Sequence, residues 1–414
     1  MRIVAIVVSL IMVIGTLQDG FETVILPRKV SRRFRLSNMF YFSTWIAWSA
    51  IGRKMRPGTR REYYLGYFGP LSLLMLLIIW ATLIVFGYAL LQWGIMTPMI
   101  SPEKITTFGT DLYLSGVTFI TLGFGDVAPL SGLGRILAVV EAGTGFGFLA
   151  LIIGYVPVIY QAFSRRETDI SLLDARAGSP SSASELLRRH SRQQNLDGLP
   201  DYLKSWEIWS AQVLESHLSN PVLMYYRSQH ERQSWLAALT TILDTCALLI
   251  VGIEEVNMPI ARFTFAMARH AAVDLAQIFG TPPMNPKESR LPPEEFVRLR
   301  DSLAEVGLHL RHEEDAEQRL TDMRRIYEPF VHALSDHLLV SLPPWIPTTR
   351  TVDDWQTSAW DHFAQWSPDK IEEITHIIVD HHKKVPFSRT GQHTHSHSAG
   401  EEHDHVEARP REVS

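Results

Sequence analysis

The sequence predicts an all-α membrane protein followed by an all-α soluble domain. Two apolar runs, 71–93 and 133–163, are each long enough to cross the roughly 30 Å hydrocarbon core of a bilayer as a helix. After residue 164 the chain becomes polar and charged, and its apolar residues recur at helical spacing without the alternation of a strand. At 414 residues the chain exceeds one typical domain.

Composition excludes several classes of function. The formal net charge is −5, from 39 Lys and Arg against 44 Asp and Glu, which does not indicate a nucleic-acid partner. Cys246 is the single cysteine, so no intramolecular disulfide can form. The carboxylates and imidazoles of 311–317 and of Asp353 and Asp354 have the spacing of solvated helix faces. We therefore expect no enzyme activity and no cofactor.

A stretch punctuated by glycines, 118–126 (TFITLGFGD), lies between the two apolar runs. Gly123 and Gly125 are spaced by one residue and accept φ of either sign, so successive carbonyl oxygens can point the same way. A row of carbonyl oxygens that faces one axis is a cation site. The threonine at the start adds a hydroxyl oxygen to this row, and Asp126 places a carboxylate at its mouth.

This stretch resembles the selectivity filter of potassium channels, T-x-x-T-V-G-Y-G-D in its commonest form. The match covers Thr118, at the end of the pore helix, and Thr121, Gly123, Gly125 and Asp126. Together with the flanking runs, it implies the two-transmembrane, one-pore-loop type, built as helix, pore helix, filter and helix.

The resemblance also implies a permeant ligand and an assembly. Potassium ions would exchange their water for oxygens of five residues: Thr121, Leu122, Gly123, Phe124 and Gly125. Filter loops come in fours and one chain supplies one loop, so the resemblance implies a homotetramer. Asp126 would then form a ring of four acids that concentrates cations at the outer mouth.

The stretch departs from the common filter at two positions. Leu122 and Phe124 replace valine and tyrosine, and we expect their side chains to pack behind the pore. Phe124 lacks the phenol hydroxyl, so a side-chain bond that braces the filter is expected to be lost. Tyr113 and Leu114 stand where a tryptophan pair is common. Two alternatives to a potassium-selective channel stay open: a non-selective cation channel, and a non-conducting membrane sensor that keeps the pore fold as a scaffold.

Charge predicts the orientation of the N-terminal part. The apolar run 3–17 (segment 1–17) is either a short transmembrane segment or a secretory signal. Between residues 18 and 69 there are ten basic and three acidic residues, an excess typical of cytoplasmic segments. We therefore favour an uncleaved helix with its N-terminus outside, in a multi-pass protein of the cell membrane. Within 18–69, the aromatic run 39–51 is either an interfacial helix with Trp45 and Trp48 at headgroup level or a buried core helix.

The pore domain is predicted at 70–164. Its pore helix, 110–120, is expected to begin at Thr110 or Asp111 and to aim the negative end of its dipole at a central cavity. The run 133–163 is the expected pore lining.

Four residues of that lining are candidates for an inner gate, because glycine and proline allow a helix to bend: Gly143, Gly145, Gly147 and Pro157. The alternative is that the glycines pack against the pore helix. Glu141 is expected to contact the pore helix or the back of the filter rather than to bind ions directly.

A helical cytoplasmic domain is predicted at 165–387, after a linker signal at 179–182 (SPSS). Expected helices are 185–190, 202–217, 234–251, 260–279, 296–310 and 315–339. The apolar segment 236–256 contains Asp244 and ends in Glu254 and Glu255, so it is expected to be a buried core helix rather than a span. No G-x-G-x-x-G follows a strand, so a nucleotide-type regulatory domain is not indicated, and the ligand of this domain is left open.

The tail, 388–414, has a disordered composition and alternating histidines. They are His393, His395, His397, His403 and His405. Such histidines can chelate zinc, nickel or copper, but a flexible solvated tail with adventitious affinity is the favoured interpretation.

Overall fold

The computed structural model describes residues 1–26, 35–102, 105–194, 196–230, 232–253, 258–286, 288–311 and 314–347. All of them belong to one compact unit, Met1–Gln356, while a second unit, Thr357–Ser414, lies outside the described residues. Of the described residues, 75% are helical, which confirms the all-α fold class. Within the described ranges, strands are limited to an antiparallel pair of two-residue segments, β1 (Met99–Ile100) and β2 (Ala128–Pro129).

Thirteen helices are described. The first six are α1 (Arg2–Gly20), α2 (Leu36–Lys54), α3 (Thr59–Gly66), α4 (Phe68–Ile95), α5 (Phe108–Phe119) and α6 (Gly132–Ala177). The other seven are α7 (Ala183–Gln194), α8 (Leu199–Ser219), α9 (Trp235–Ala247), α10 (Pro259–Ile278), α11 (Pro293–Ala304), α12 (Glu314–Arg325) and α13 (Glu328–Leu338).

Four helical segments of the described chain are long and apolar enough to cross a membrane: Arg2–Ile25, Thr59–Ile95, Gly132–Ala177 and Trp235–Gly252. The last of these is 89% buried inside the protein, because α9 forms the centre of the helical domain. Asp244 on α9 accepts from Arg290 at 2.6 Å, so its charge is compensated. The expectation of a buried core helix is therefore confirmed.

The first helix is longer than the apolar run 3–17 suggests. α1 ends at Gly20 and a single π-helical turn carries it to Ile25, so the whole segment has 24 residues and the length of a span. It lies antiparallel to α4, with Ile6 close to Gly94 and Val13 close to Gly87. Small residues allow this close approach of two apolar helices.

A buried carboxylate ties the end of α1 to its neighbours. Asp19 accepts from the backbone nitrogen of Ser37, at the start of α2, at 3.0 Å and from the Trp80 indole of α4 at 3.0 Å. The acid thereby satisfies an orphan N–H group of α2. Composition alone does not reveal this role of Asp19.

The two faces of α2 differ. Trp45 is buried against Phe68 and Tyr225, with ring centroids 4.8 Å away in both cases, and its indole donates to the carbonyl of His337 at 3.0 Å. An interfacial helix with Trp45 at headgroup level is therefore wrong, and the core-helix alternative holds for this face. On the adjacent face Phe42 and Ile46 are exposed.

The pore helix begins earlier than predicted. α5 starts at Phe108 with Thr107 as its N-cap, and the Thr110 hydroxyl accepts from the Thr107 backbone nitrogen at 3.2 Å. This reciprocal arrangement needs the residue three positions after the cap, which is why Thr110 itself looks like a start signal in the sequence.

The predicted boundary between the pore and helical domains, 164–165, falls inside α6. This helix continues without interruption to Ala177. The predicted linker, 179–182, is packed into the helical domain, where Ser179, Ser181 and Ser182 are buried. A serine- and proline-rich turn thus forms part of a core, since its hydroxyl groups find partners such as Thr241, 2.8 Å from Ser181.

The expected helix 315–339 is two helices. α12 ends at Arg325 and α13 begins at Glu328, with Pro329 in its first turn. Proline lacks an N–H group and is tolerated in the first turn, so it favours a new helix start at this position.

Candidate functional site

The turn after the pore helix has a backbone of alternating handedness. α5 ends at Phe119, and φ is then positive at every second residue: 60° at Thr121, 56° at Gly123 and 77° at Gly125. The turn is held to α5 by the Leu122 nitrogen, which donates to the Val117 carbonyl at 2.8 Å. Glycine accepts positive φ freely, but a β-branched threonine does not, so the strain at Thr121 is stored by the surrounding contacts.

The aspartate at the end of the turn is braced by the pore helix. The phenol of Tyr113 donates to Oδ2 of Asp126 at 2.9 Å. Phe124 has no hydroxyl for a bond of this kind, but the turn is braced at Asp126 by Tyr113 instead. The signal in the sequence for this bond was the position of Tyr113, on the predicted pore helix 13 residues before Asp126.

Behind the turn, α6 contacts the pore helix directly. Glu141 is buried, and the Ser115 hydroxyl donates to its Oε1 while lying 2.7 Å from the Val85 carbonyl of α4. The expected contact of Glu141 with the pore helix is confirmed. One turn further along, a Cβ on Gly145 would lie 1.9 Å from the Phe119 carbonyl oxygen, so only glycine fits there.

The four gate candidates differ in their surroundings. Gly145 packs against the end of the pore helix, as the packing alternative requires. A Cβ on Gly143 or Gly147 meets no atom of the described chain within 4 Å, and Pro157 lies inside α6 without ending it. The structure thus separates Gly145 from the other three.

The face formed by the turn and α6 is apolar and unpartnered within one chain. Leu122 is 56% exposed and Phe124 is 67% exposed. Contrary to expectation, their side chains therefore do not pack behind the turn of the same chain. The spanning window of α6 is only 11% buried. A contiguous apolar surface of this kind marks a contact with lipid or with another protein chain.

Known proteins share this part of the chain. A family model described as ion channel matches residues 73–161, from α4 through the turn into α6. Protein LctB of Bacillus caldotenax is 31% identical over 93 residues, which are 20% of this chain and 69% of that protein. The chain belongs to the ion channel family.

Two further relatives match the channel over stretches of very different length. The uncharacterized membrane protein YdjJ of Bacillus subtilis is 20% identical to the channel over 236 residues, 56% of the channel and 68% of that protein. Protein LctB of Geobacillus stearothermophilus is 39% identical over 51 residues, 12% of the channel and 37% of that protein. No solved structure matches the channel.

A buried arginine anchors the far end of α6 in the helical domain of the channel. Arg166 donates to the carbonyls of Leu223 at 3.0 Å and Tyr226 at 2.8 Å, and it lies 3.2 Å from Nε2 of His217. Nδ1 of His217 donates to the Val213 carbonyl at 2.7 Å, so Nε2 is the acceptor for Arg166. Burial, with the nearby positive charge of Arg166, lowers the pKa of His217 to about 3.

The metal-binding prediction for the tail lies outside the described residues, as do Asp353 and Asp354. In the described ranges, no group of three or more His, Cys, Asp or Glu side chains could hold a metal ion. The site residues that the structure does bring together are the turn, Tyr113 and the α6 residues behind it.

Proposed function

We propose that this channel is potassium-selective and conducts passively across the cell membrane as a homotetramer. The observation that carries the proposal is the positive φ at Thr121, Gly123 and Gly125, directly after a pore helix and within a T-x-x-T-x-G-F-G-D sequence. Alternating handedness is the backbone geometry in which consecutive carbonyl groups can turn to one side. Four such turns around an axis would form a ladder of oxygen cages.

Conduction needs no covalent chemistry. A potassium ion exchanges its hydration shell for oxygens of Thr121, Leu122, Gly123, Phe124 and Gly125, and repulsion between ions in adjacent cages drives exit. The ring of four Asp126 carboxylates, held in place by Tyr113, raises the cation concentration at the outer mouth. The C-terminal end of each α5 helix directs negative partial charge towards the ion path.

The apolar exposure of one chain supports the fourfold assembly. Leu122, Phe124 and the sparsely buried α6 would be covered when neighbouring subunits pack around the axis. One chain supplies one turn, so a closed ring requires further copies. The bilayer covers the remaining apolar faces of α1 and α4.

The proposed orientation places the filter turn outside and the helical domain in the cytoplasm. α1 and α4 are antiparallel, so both ends of the basic segment that joins them lie away from the filter. Cytoplasmic segments carry an excess of Lys and Arg. The cell membrane, potassium ions and further copies of the chain are the partners of this function.

The test is flux through the purified full-length protein in lipid vesicles. We expect potassium uptake that barium blocks, and a reversal potential that follows the potassium gradient in mixed potassium and sodium. Equal permeability of the two ions would replace the proposal with a non-selective cation channel. No flux from protein that is tetrameric in detergent would favour the non-conducting sensor scaffold.

A matched pair of glycine variants links flux to the turn. Gly123→Ala places a Cβ at φ +56° and should abolish selective flux, since alanine is strained there. Gly132→Ala adds the same methyl group at the first residue of α6, where it meets no atom within 4 Å, and should conduct like the parent channel. Equal loss in both variants would remove the turn from the argument.

A further inference from the structure

A cavity of about 830 Å³ lies at the end of the pore module away from the filter turn. Its walls come from three parts of the chain: the end of α1 with α2, the pore-lining helix α6 at Tyr155, and the helical domain at Ile278 and Phe279. The volume falls within the roughly 300–1,000 Å³ of ordinary ligand sites. No part of the proposed ion path uses this cavity.

The walls are apolar and aromatic over most of their extent. Tyr41, Phe42 and Ile46 of α2 face Tyr155 and Phe279 across the space. Such a lining favours the burial of hydrocarbon, at about 25 cal/mol for each Å² removed from water. A polar ligand without a long apolar part would leave the apolar side chains of these walls in contact with water.

Polar groups are concentrated at the ends of α2. Arg53 lines the cavity and donates to both carboxylate oxygens of Asp336, at 3.0 and 3.2 Å, but its side chain is about half exposed, so a phosphate can share the guanidinium. Arg35 lines the cavity at the other end of α2. His337 also lines the cavity, and its buried Nε2 has no hydrogen-bond partner among the described residues. Arg35 already faces the carboxylates of Glu22 and Asp19, at 3.7 and 3.9 Å. Arg53 is therefore the guanidinium that can bind a phosphate group.

The cavity is continuous with surfaces that face lipid. Leu26 lies at the end of the α1 span, and Phe42 and Ile46 are both cavity walls and exposed apolar side chains. An opening bordered by the end of the α1 span and by Tyr155 of α6 is at the level of the bilayer boundary in the proposed orientation. The nearest abundant molecule with a hydrocarbon chain and an anionic group is a phospholipid.

We propose that the cavity binds a phospholipid of the adjacent leaflet, with one acyl chain between α2 and α10 and its phosphate on Arg53. The position relative to the membrane rests on the proposed channel function. The acyl chain of the lipid contacts both Tyr155 of the pore-lining helix and Phe279 of the helical domain. A bound lipid therefore favours the arrangement of the pore-lining helix and the helical domain in which the cavity is open.

Photolabelling of the full-length protein in nanodiscs tests this binding. The discs contain phosphatidylcholine with a minor fraction of phosphatidylglycerol that carries a diazirine at the end of one acyl chain. We expect adducts on Ile278 and Phe279, which line the cavity at the end of α10, a helix of the helical domain that is not a candidate span. Exposed Ile78 of α4 reports labelling by bulk lipid.

Two alanines of α2 give a matched control. Ala50→Trp fills the cavity that Ala50 lines, and it should lower labelling of Phe279 at least tenfold while Ile78 is labelled as before. Ala47→Trp adds the same ring at an exposed position of α2 that does not line the cavity, and should change neither. The readout needs no ion flux, so the lipid site and the channel function can fail separately.

Three outcomes would overturn the proposal. The first is no label on α10, which is the result expected if a second copy of the chain fills the cavity. The second is label on Phe279 that Ala50→Trp leaves unchanged. The third is label that free oleate displaces and unlabelled phosphatidylglycerol does not, which would assign the site to a fatty acid.

Discussion

Gly145→Ala should disable the channel through the pore helix rather than through the gate. The added Cβ would lie 1.9 Å from the Phe119 carbonyl oxygen and 2.7 Å from its carbon, both backbone atoms that no side-chain rotation can move. To reach even a 3.0 Å contact, α6 and the end of α5 must separate by about 1 Å. Overpacking of this kind costs about 1–3 kcal/mol, which corresponds to a 5- to 150-fold shift in population.

The consequence is carried to the filter because Phe119 is the last residue of α5 and Thr121 follows two positions later. Thr121 is held at φ 60° against its own preference, so displacement of the preceding carbonyl releases that strain first. For the proposed potassium-selective tetramer, we therefore expect a loss of selectivity for potassium over sodium, with a smaller effect on the yield of tetramer. Assay of reversal potential and of tetramer fraction on the same preparation separates the two effects.

Gly143→Ala is the control for this prediction, since its Cβ meets nothing within 4 Å in the described chain. It should retain selectivity within twofold of the parent channel. If Gly145→Ala conducts selectively with a normal tetramer fraction, the packing of α6 on α5 is not what holds the filter. If the two variants alter open probability equally and selectivity not at all, the glycines act as a hinge instead.

Three further results are expected. Tyr113→Phe removes the donor to Asp126 and should speed the decay of potassium current several-fold. Tyr67→Phe, just before α4 and at the end of that helix away from the turn, should leave the decay unchanged. Identical decay in both variants would refute the role of the Tyr113–Asp126 bond. Glu141→Ala should destabilise the protein by about 2–4 kcal/mol in thermal unfolding, because a hydrogen bond is lost and a cavity is left. Glu141→Gln should cost less than half of that, and equal losses would contradict the role of Ser115. His217 has a folded pKa of about 3, below its unfolded value, so the unfolded state binds the extra proton and the free energy of unfolding falls as pH drops below about 6.5. In urea unfolding, the free energy of unfolding of the parent should fall by about 1.4 kcal/mol more between pH 7.5 and 5.5 than that of His217→Asn. An equal fall in both proteins would be inconsistent with a buried neutral imidazole.

The spans and the turn after the pore helix were predictable because their signals are local. An uncharged apolar run of 23 residues has few structures open to it in a bilayer, and Gly-x-Gly after a short helix restricts the turn. The contact of Glu141 with the pore helix followed from the high cost of an acid within a span. The alternation of positive and negative φ also includes Thr121. The sequence could not indicate this, because threonine disfavours positive φ.

The errors concern contacts between residues far apart in sequence. Trp45 looks interfacial by composition, but its partners Phe68, Tyr225 and His337 come from three other segments. The serines of 179–182 look like a linker because polar residues usually stay in water, yet their burial is compensated by hydrogen bonds to α9 and to the end of α6. Neither set of partners has a periodic signal.

The continuity of α6 has a mechanical consequence for gating. The helix is fixed at Gly145 by the pore helix and at Arg166 by three acceptors in the helical domain, and these points lie about 31 Å apart at 1.5 Å per residue. Between them, Pro157 removes one backbone donor. We infer that a displacement of the helical domain reaches α6 at Arg166 and is absorbed at Pro157, because the segment above it is held against the filter. A stimulus at the helical domain would thus move the inner half of the pore and leave the filter in place.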